Sequence, residues 1–223
     1  MGSYSFWEDD RSIAPDVAAT FYNYFAYLFL EPLPVPGGDS VGLIKQMSFD
    51  LFAAEQEDCP GFESLPGLKE ALSFFDFADD QEEQVQKELA VDRTYLCRGV
   101  DPDGLTPPYA SFWSQSGAIT LSQTMNIYRD TGFFPSEDSG ERLDYLGMEF
   151  ALLAMLAQGE CEASASSDTE RASFMRTKRI EFLTEHLQKW LPAYCKKAVP
   201  YAKTRFFKGI LTLMPALFLS AAE

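Results

Sequence analysis

The chain has 223 residues, with 18 lysines and arginines against 34 aspartates and glutamates, which gives a formal net charge of −16. This length is enough to bury a sizeable core, and the 46% hydrophobic fraction is typical of a folded globular protein. The acidity argues against nucleic-acid binding, because phosphate contacts need basic side chains. It favours a basic partner or, as the simpler alternative, serves solubility alone.

Targeting and anchoring signals are missing from the sequence. The first residues lack a cationic, apolar signal peptide, and the longest apolar stretch, Gly209–Ala222, is interrupted by Pro215. That stretch is also shorter than the roughly 20 residues that cross a bilayer. The four cysteines form no Cys-x-x-Cys pair, so reduced thiols are expected. We therefore predict a cytoplasmic protein without stable membrane insertion.

The first third of the chain is predicted to be helical. The first helix spans Pro15–Leu30, because proline suits an early helical position and Pro32 stops the helix. Spacings of three and four place four of its apolar side chains on a core face, Phe21, Phe25, Leu28 and Phe29. Tyr22 and Tyr24 could still face a groove. Further helices are predicted over Val41–Ala54, Leu65–Phe77 and Asp79–Gly99.

Residues 100–108 are rich in proline and glycine and predict a hinge. Beyond it, a capping-box spacing at residues 138–141 precedes an apolar run, and Glu160–Asp168 is predicted to be a mobile loop. The helices predicted here are Ser114–Thr131, Leu143–Ala157, Thr169–Tyr194, with Ile180 and Trp190 toward the core, and a last helix between Pro200 and Leu219. No strand pattern appears. The predicted fold is all-α, one helical domain of about eight to ten helices whose halves, residues 1–99 and 109–223, are joined by the hinge at 100–108.

The chain offers little to enzymatic chemistry. His186 is its only histidine and lies on a predicted helix, where a structural or surface role is expected. No Glu-x-x-His pair suited to a di-metal site and no glycine-rich phosphate loop is present. We therefore predict a protein that is not an enzyme and that has no metal site and no cofactor.

Two segments suggest binding instead. Pro107 and Pro108 stand beside Tyr109 and Trp113, so rigid prolines and large aromatic rings provide a surface suited to a peptide. In the second segment, helical spacing places three residues along one face with Asp144 beside them, namely Glu141, Tyr145 and Glu149. These carboxylates could receive an arginine from another chain. The alternatives are an ordinary exposed edge, or an internal pair with the basic segment at residues 171–208.

Five segments of the chain carry a resemblance to a known family, and they are Tyr27–Pro32, Asp92–Gly99, Pro107–Trp113, Asp144–Phe150 and Phe182–Pro192. In this order they resemble motifs of the TorD/DmsD/NarJ family of chaperones. Two residues depart from the family pattern. Tyr145 stands where the family has a histidine, and Ala110 stands where it has a glutamate. Peptide contacts are therefore expected to differ from those of better-known members.

The resemblance implies a cytoplasmic chaperone that binds the twin-arginine leader and the apo form of a molybdoenzyme catalytic subunit. Such a chaperone aids cofactor insertion and delays export. On this interpretation Asp144 and Glu149 meet the arginines, while Tyr109, Trp113 and Tyr145 line the apolar part. The resemblance also implies a monomer or a homodimer that swaps halves across the hinge. The alternatives are a helical adaptor that binds a mature partner subunit without leader recognition, and an enzyme that would need a bound divalent metal.

Overall fold

The structure is a computed structural model that describes residues 14–30, 40–58, 65–77, 81–99, 104–114, 121–133 and 140–218. For Ser40 and residues 53–58 it describes the backbone alone. Helices form the regular structure of these residues. The described residues contain no strand, only an isolated antiparallel bridge between Tyr109 and Tyr145. The predicted all-α fold is confirmed.

The N-terminal helices follow the predicted order, as α1 (Pro15–Leu30), α2 (Ser40–Asp58), α3 (Leu68–Leu72) and α4 (Glu82–Arg98). The bounds of α1 are those predicted. Gly99 ends α4 in a left-handed conformation with φ 58°, as expected of a glycine stop. Helix α3 is shorter than predicted, because Gly67 before it has φ 84° and a 3-10 turn at Ser73–Phe75 follows it. Residues 78–80, in the predicted start of α4, lie outside the described residues.

The later helices are α5 (Ala110–Trp113), α6 (Leu121–Thr131), α7 (Leu146–Ala165), α8 (Thr169–Phe182), α9 (Gln188–Ala198) and α10 (Arg205–Phe218). A π-helical turn at Leu183–Leu187 joins α8 to α9. The helix predicted over Ser114–Thr131 begins only at Leu121 in the described residues, and residues 115–120 lie outside them. The short α5 was not predicted.

The predicted mobile loop at Glu160–Asp168 is wrong. Helix α7 continues through Ala165, because Glu160 is buried and its carboxylate pairs with Arg179 of α8 at 2.8 Å. Asp168 then caps α8 by accepting the backbone N–H of Arg171 at 3.0 Å. At its other end α7 begins at Leu146, so the capping-box residues 138–141 do not start it, and residues 134–139 lie outside the described part of the chain.

Three burial predictions are also wrong. Tyr22 and Tyr24 do not face a groove, since both side chains are buried in the core. Ile180, predicted to point toward the core, is 38% exposed. The predicted core residues of α1, by contrast, are all buried, namely Phe21, Phe25, Leu28 and Phe29. The aromatic face of α1 is therefore wider than the periodic stripe indicated.

The chain forms two compact units, each drawn from separate stretches of sequence. The first takes its described residues from 31–107 and 193–223, and the second from 9–30 and 108–192. These units differ from the two sequence halves, because α1 groups with the segment after residue 107 and α10 with the segment before it. The hinge at 100–108 stays a prediction, and residues 100–103 of it lie outside the described residues.

In the second unit, the aromatic face of α1 packs on α7. Phe25 stacks on Phe150 with ring centroids 5.3 Å apart. Gly147 lies so close to Leu30 that a Cβ added to it would be 2.7 Å from the Leu30 Cγ. Burial of large aromatic side chains contributes roughly 1.5–3 kcal/mol each, so this contact provides much of the unit's core. It fixes the start of α7, where the candidate site lies.

In the first unit, α10 is held at its start and along its length. The buried carboxylate of Asp92 accepts the backbone N–H groups of Lys203 and Thr204, just before the helix, at 2.9 and 2.7 Å. Thr204 in turn caps the helix, because its Oγ1 accepts the N–H of Phe207 at 3.2 Å. Further along, Gly209 contacts α3 backbone to backbone, since a Cβ added to it would be 2.4 Å from the nitrogen of Ala71. The first unit therefore depends on one buried carboxylate and one close helix crossing.

Candidate peptide-binding site

Two segments that the sequence singled out are joined by backbone hydrogen bonds in the second unit. The N–H of Ala110 donates to the carbonyl of Asp144 at 2.8 Å, and the N–H of Leu146 donates to the carbonyl of Pro108 at 2.9 Å. The Tyr109–Tyr145 bridge lies between these two bonds. The aromatic segment before α5 and the acidic segment before α7 thus lie together. Pro107 belongs to the other compact unit.

Four side chains on this surface surround the guanidinium of Arg142, and we call them the guanidinium site: Tyr109, Ser111, Phe112 and Asp144. Asp144 accepts two hydrogen bonds from Arg142, Nε to Oδ1 at 2.9 Å and Nη2 to Oδ2 at 2.8 Å. Ser111 Oγ accepts a third at 3.0 Å. The guanidinium carbon lies 5.0 Å from the ring centroid of Tyr109 and 5.7 Å from that of Phe112.

Burial differs sharply across this cluster. The Asp144 side chain is only 3% exposed, whereas Arg142 is 46% exposed and Phe112 is 54% exposed. The backbone N–H of Ser111 also donates to Asp144 Oδ2 at 3.3 Å. The carboxylate is therefore fixed in the protein, and the arginine and the outer ring face solvent.

Glu141 and Trp113 complete the surface. The hydroxyl of Tyr109 donates to Glu141 Oε2 at 3.3 Å, and both residues are half-buried. Trp113 is half-buried at the end of α5. Together these side chains add a second carboxylate and a large ring to the guanidinium site, so the surface can bind cationic and apolar groups side by side.

Glu149 lies in the interior. Its side chain is 0% exposed, with Oε1 2.5 Å from Nε2 of His186 and Oε2 accepting the indole N–H of Trp190 at 3.2 Å. The exposed-edge alternative is wrong for Glu149, and an internal pair with the 171–208 segment is confirmed. The predicted helical face of Glu141, Tyr145 and Glu149 is also wrong, because α7 begins only at Leu146.

Burial shifts the pKa of this interior carboxyl group. Removal from water raises the pKa of Glu149 above its ordinary value of 4.5, although the neighbouring imidazole of His186 and the indole N–H of Trp190 act in the opposite direction. The His186 imidazole also lies against the Phe182 ring, with centroids 4.7 Å apart. His186 is thus a structural residue, as the sequence indicated.

Tyr145 is buried as well. Its hydroxyl donates to the carbonyl of Phe29 at 2.9 Å, and its ring lies 5.2 Å from that of Tyr109. The ring of Tyr145 therefore packs against Tyr109 from the buried side, and its hydroxyl links the loop before α7 to the end of α1. Pro108 is buried, and Pro107 is half-buried.

Sequence reasoning missed Arg142, Ser111 and Phe112 as members of the site. The sequence held one signal for Arg142. It is a basic residue two positions before Asp144, in a segment without helical periodicity. The pairing of Glu149 with His186 and Trp190 joins residues 37 and 41 positions apart, so no local pattern could indicate it.

Metal binding and membrane crossing find no support in the described part of the chain. No group of three or more histidine, cysteine, aspartate or glutamate side chains among these residues is arranged to hold a metal ion. None of the described helices combines the length and apolar character needed to cross a membrane.

Comparison with known families assigns the chain. The model of the family described as nitrate reductase delta subunit matches residues 55–196, more than half of the chain. The chain belongs to the nitrate reductase delta subunit family. This family is part of the TorD/DmsD/NarJ chaperones, so the resemblance drawn from the motifs is confirmed. Comparison with curated proteins and with solved structures gives no match.

Members of the nitrate reductase delta subunit family are non-catalytic chaperones of molybdoenzyme assembly, which confirms the prediction that this chain is not an enzyme. The family match includes all of the guanidinium site as well as Glu149, His186 and Trp190. Helices α1 and α10 lie outside it. The candidate surface thus belongs to the part of the chain that defines the family.

Proposed function

We propose that this chaperone binds the twin-arginine leader of a molybdenum-cofactor oxidoreductase, with the surface around the guanidinium site as the contact. On this proposal it holds the apo catalytic subunit in the cytoplasm, aids cofactor insertion and delays export until insertion is complete. One observation carries the proposal. The surface already holds an arginine side chain between a fixed carboxylate and two aromatic rings.

The chemistry of a twin-arginine leader suits this surface. Such a leader joins two cations to an apolar stretch, and guanidinium groups pair with carboxylates through two parallel hydrogen bonds. Asp144 and Glu141 are the carboxylates, and Tyr109 and Trp113 are the rings that an apolar stretch would contact. We assign Pro107 and Pro108 the role of holding this segment extended, and Tyr145 and Glu149 the role of supporting it from the interior.

The same unit exposes further apolar side chains on α6. Leu121 is 41% exposed and Met125 is 53% exposed, and helical spacing puts them on one face. Methionine adapts its shape to varied apolar partners, which suits a surface that binds leader sequences rather than one fixed shape. We propose that this face contacts the apolar stretch or the unfolded client.

Calorimetric titration with synthetic leaders tests the proposal. Leaders of molybdoenzymes encoded by the same organism are titrated into the purified chain, each beside a copy with both arginines changed to alanine. We expect one leader to bind with a dissociation constant near 1 μM, which corresponds to about −8 kcal/mol. Its arginine-free copy should bind at least about tenfold more weakly, since each charge-assisted hydrogen bond contributes roughly 1.5–3 kcal/mol.

The Asp144→Asn variant localises the binding, with Asp130→Asn as its matched control because Asp130 is 58% exposed on α6. Asp144→Asn should weaken leader binding about tenfold or more, and Asp130→Asn should leave it unchanged. Far-UV circular dichroism confirms that both variants stay helical.

Binding of the mature subunit by a chain that binds no leader would favour the adaptor alternative and contradict the proposal. Sedimentation of the same samples distinguishes the monomer from the swapped dimer.

A further inference from the structure

Arg142 makes the contacts that an arginine of a bound peptide would make. Its planar guanidinium forms two parallel bonds to Asp144 and one to Ser111, with the faces of Tyr109 and Phe112 beside it. Lysine cannot reproduce this pattern, because its ammonium lacks the planar fork. The site therefore has the geometry to select a guanidinium.

The structure around the site does not depend on Arg142. The backbone bonds from Ala110 to Asp144 and from Leu146 to Pro108 join the two segments without it. Asp144 retains the N–H of Ser111 as a donor when Arg142 leaves. Arg142 itself lies before the first residue of α7 and is 46% exposed, so its side chain can swing into solvent without unfolding a helix.

We propose that the guanidinium site is an arginine-recognition site that Arg142 occupies in cis, and that an arginine of the leader peptide displaces it. This proposal rests on the leader binding proposed above. The incoming guanidinium forms the contacts that Arg142 gives up, so the Asp144 carboxylate is never left buried and unpaired. Arg142 lowers the apparent affinity by competing for the site, and thereby eases the release of the leader once cofactor insertion is complete.

Removal of the competitor is the test. If Arg142 occupies the site in about nine of ten molecules, Arg142→Ala should bind the leader about tenfold more tightly than the wild type. Arg171→Ala is the matched control, because it makes the same change in net charge from an exposed residue in the first turn of α8, outside the guanidinium site and the apolar face of α6. Its leader affinity should stay close to the wild-type value. The leader affinity of Arg142→Lys should lie between those of the wild type and Arg142→Ala. If circular dichroism shows that Arg142→Ala does not fold, Arg142→Lys replaces it in this comparison.

A probe without any leader sequence separates the two proposals. N-acetyl-arginine amide is titrated into Arg142→Ala, and the backbone amide of Ser111, which donates to Asp144, is followed by NMR. We expect a shift of this amide with the arginine probe, none with N-acetyl-lysine amide, and none in the double variant that also carries Asp144→Asn.

The outcomes are distinct. A leader that binds the wild type, Arg171→Ala and Arg142→Ala equally leaves the leader-binding function standing and overturns occupancy in cis. A Ser111 shift with the arginine probe, in a chain that binds no leader, supports arginine recognition at the site and contradicts leader binding. Absence of the shift in folded Arg142→Ala overturns the inference directly.

Discussion

Glu149 is a fully buried carboxyl group, and each of its oxygens lies within hydrogen-bonding distance of a ring nitrogen. Oε1 faces the imidazole of His186 and Oε2 accepts the N–H of Trp190. Buried carboxylates are costly unless they are paired in this way. Glu149 is the only charge between Tyr145 and Gly159, so the sequence left two alternatives for it, an exposed edge or a paired carboxylate. The sequence could not indicate which partner, since the choice depends on how α7 packs against the π-helical turn.

Glu149→Gln should destabilise the second unit by about 1–3 kcal/mol, because the amide has one oxygen and one NH2 group where the buried contacts with His186 and Trp190 use two carboxyl oxygens. Urea unfolding followed by circular dichroism measures the loss. Glu185→Gln is the control, since Glu185 is 68% exposed and makes only a loose contact with Lys189 at 3.9 Å. Equal stability of the two variants would contradict the structural role of Glu149.

The same pair predicts a pH dependence. Burial raises the folded-state pKa of Glu149 above 4.5, so the folded state holds a proton that the unfolded chain releases. The stability that this carboxyl contributes is therefore present below about pH 4.5 and is lost as the pH rises through the folded pKa. His186, Asp144 and Tyr128 are the titratable groups that interact with it. The stability difference between wild type and Glu149→Gln should narrow with rising pH in urea titrations from about pH 4 to about pH 8.

At the scale of helices, positions set by local sequence were predicted better than lengths set by packing. Proline and periodicity gave the bounds of α1, and glycine gave the end of α4. Helix α7 runs well past its predicted end, because the buried pair of Glu160 with Arg179 holds its polar last turns against α8. That pair joins residues 19 positions apart, beyond the reach of a periodic pattern.

The crossing of α3 and α10 supplies a prediction at this scale. A Cβ at Gly209 would lie 2.4 Å from the nitrogen of Ala71 and 2.5 Å from the carbonyl oxygen of Gly67, and backbone atoms cannot move aside cheaply. Gly209→Ala should therefore destabilise the first unit by about 1–3 kcal/mol. In a chain of this size each kcal/mol lowers the melting temperature by roughly 2–4 °C, which differential scanning calorimetry detects.

Gly159→Ala is the contrasting control. Its added Cβ would meet only the flexible end of Met175, at 3.3 Å from Cε, in the interior of α7. Alanine in a helix interior is favoured over glycine by up to about 1 kcal/mol, so the melting temperature should stay the same or rise. A loss of stability in Gly159→Ala as large as that in Gly209→Ala would contradict the assigned close crossing.

At the scale of the whole molecule, charge governs how a partner approaches. If the chain binds a cationic leader as proposed, its net charge of −16 should attract that leader from a distance, and such steering raises association rates more than it slows dissociation. Salt shortens the range of this attraction, since the Debye length falls from about 10 Å at 0.1 M to about 3 Å at 1 M. The association rate constant of the leader should therefore fall steeply with added salt in stopped-flow measurements, and that of its arginine-free copy should change little. Equal salt dependence of the two peptides would contradict electrostatic steering by the arginines.

The sequence by itself determined the all-α class, the approximate position of most helices and the family, because each of these depends on local periodicity, on proline and glycine, or on short ordered motifs. It also pointed to the two segments that form the candidate surface. Tertiary structure alone decided which partner each buried carboxylate has. Asp144 contacts an exposed arginine, whereas Glu149 pairs with His186 in the interior. Burial and pairing depend on side chains brought together from distant positions, and no local pattern carries that information.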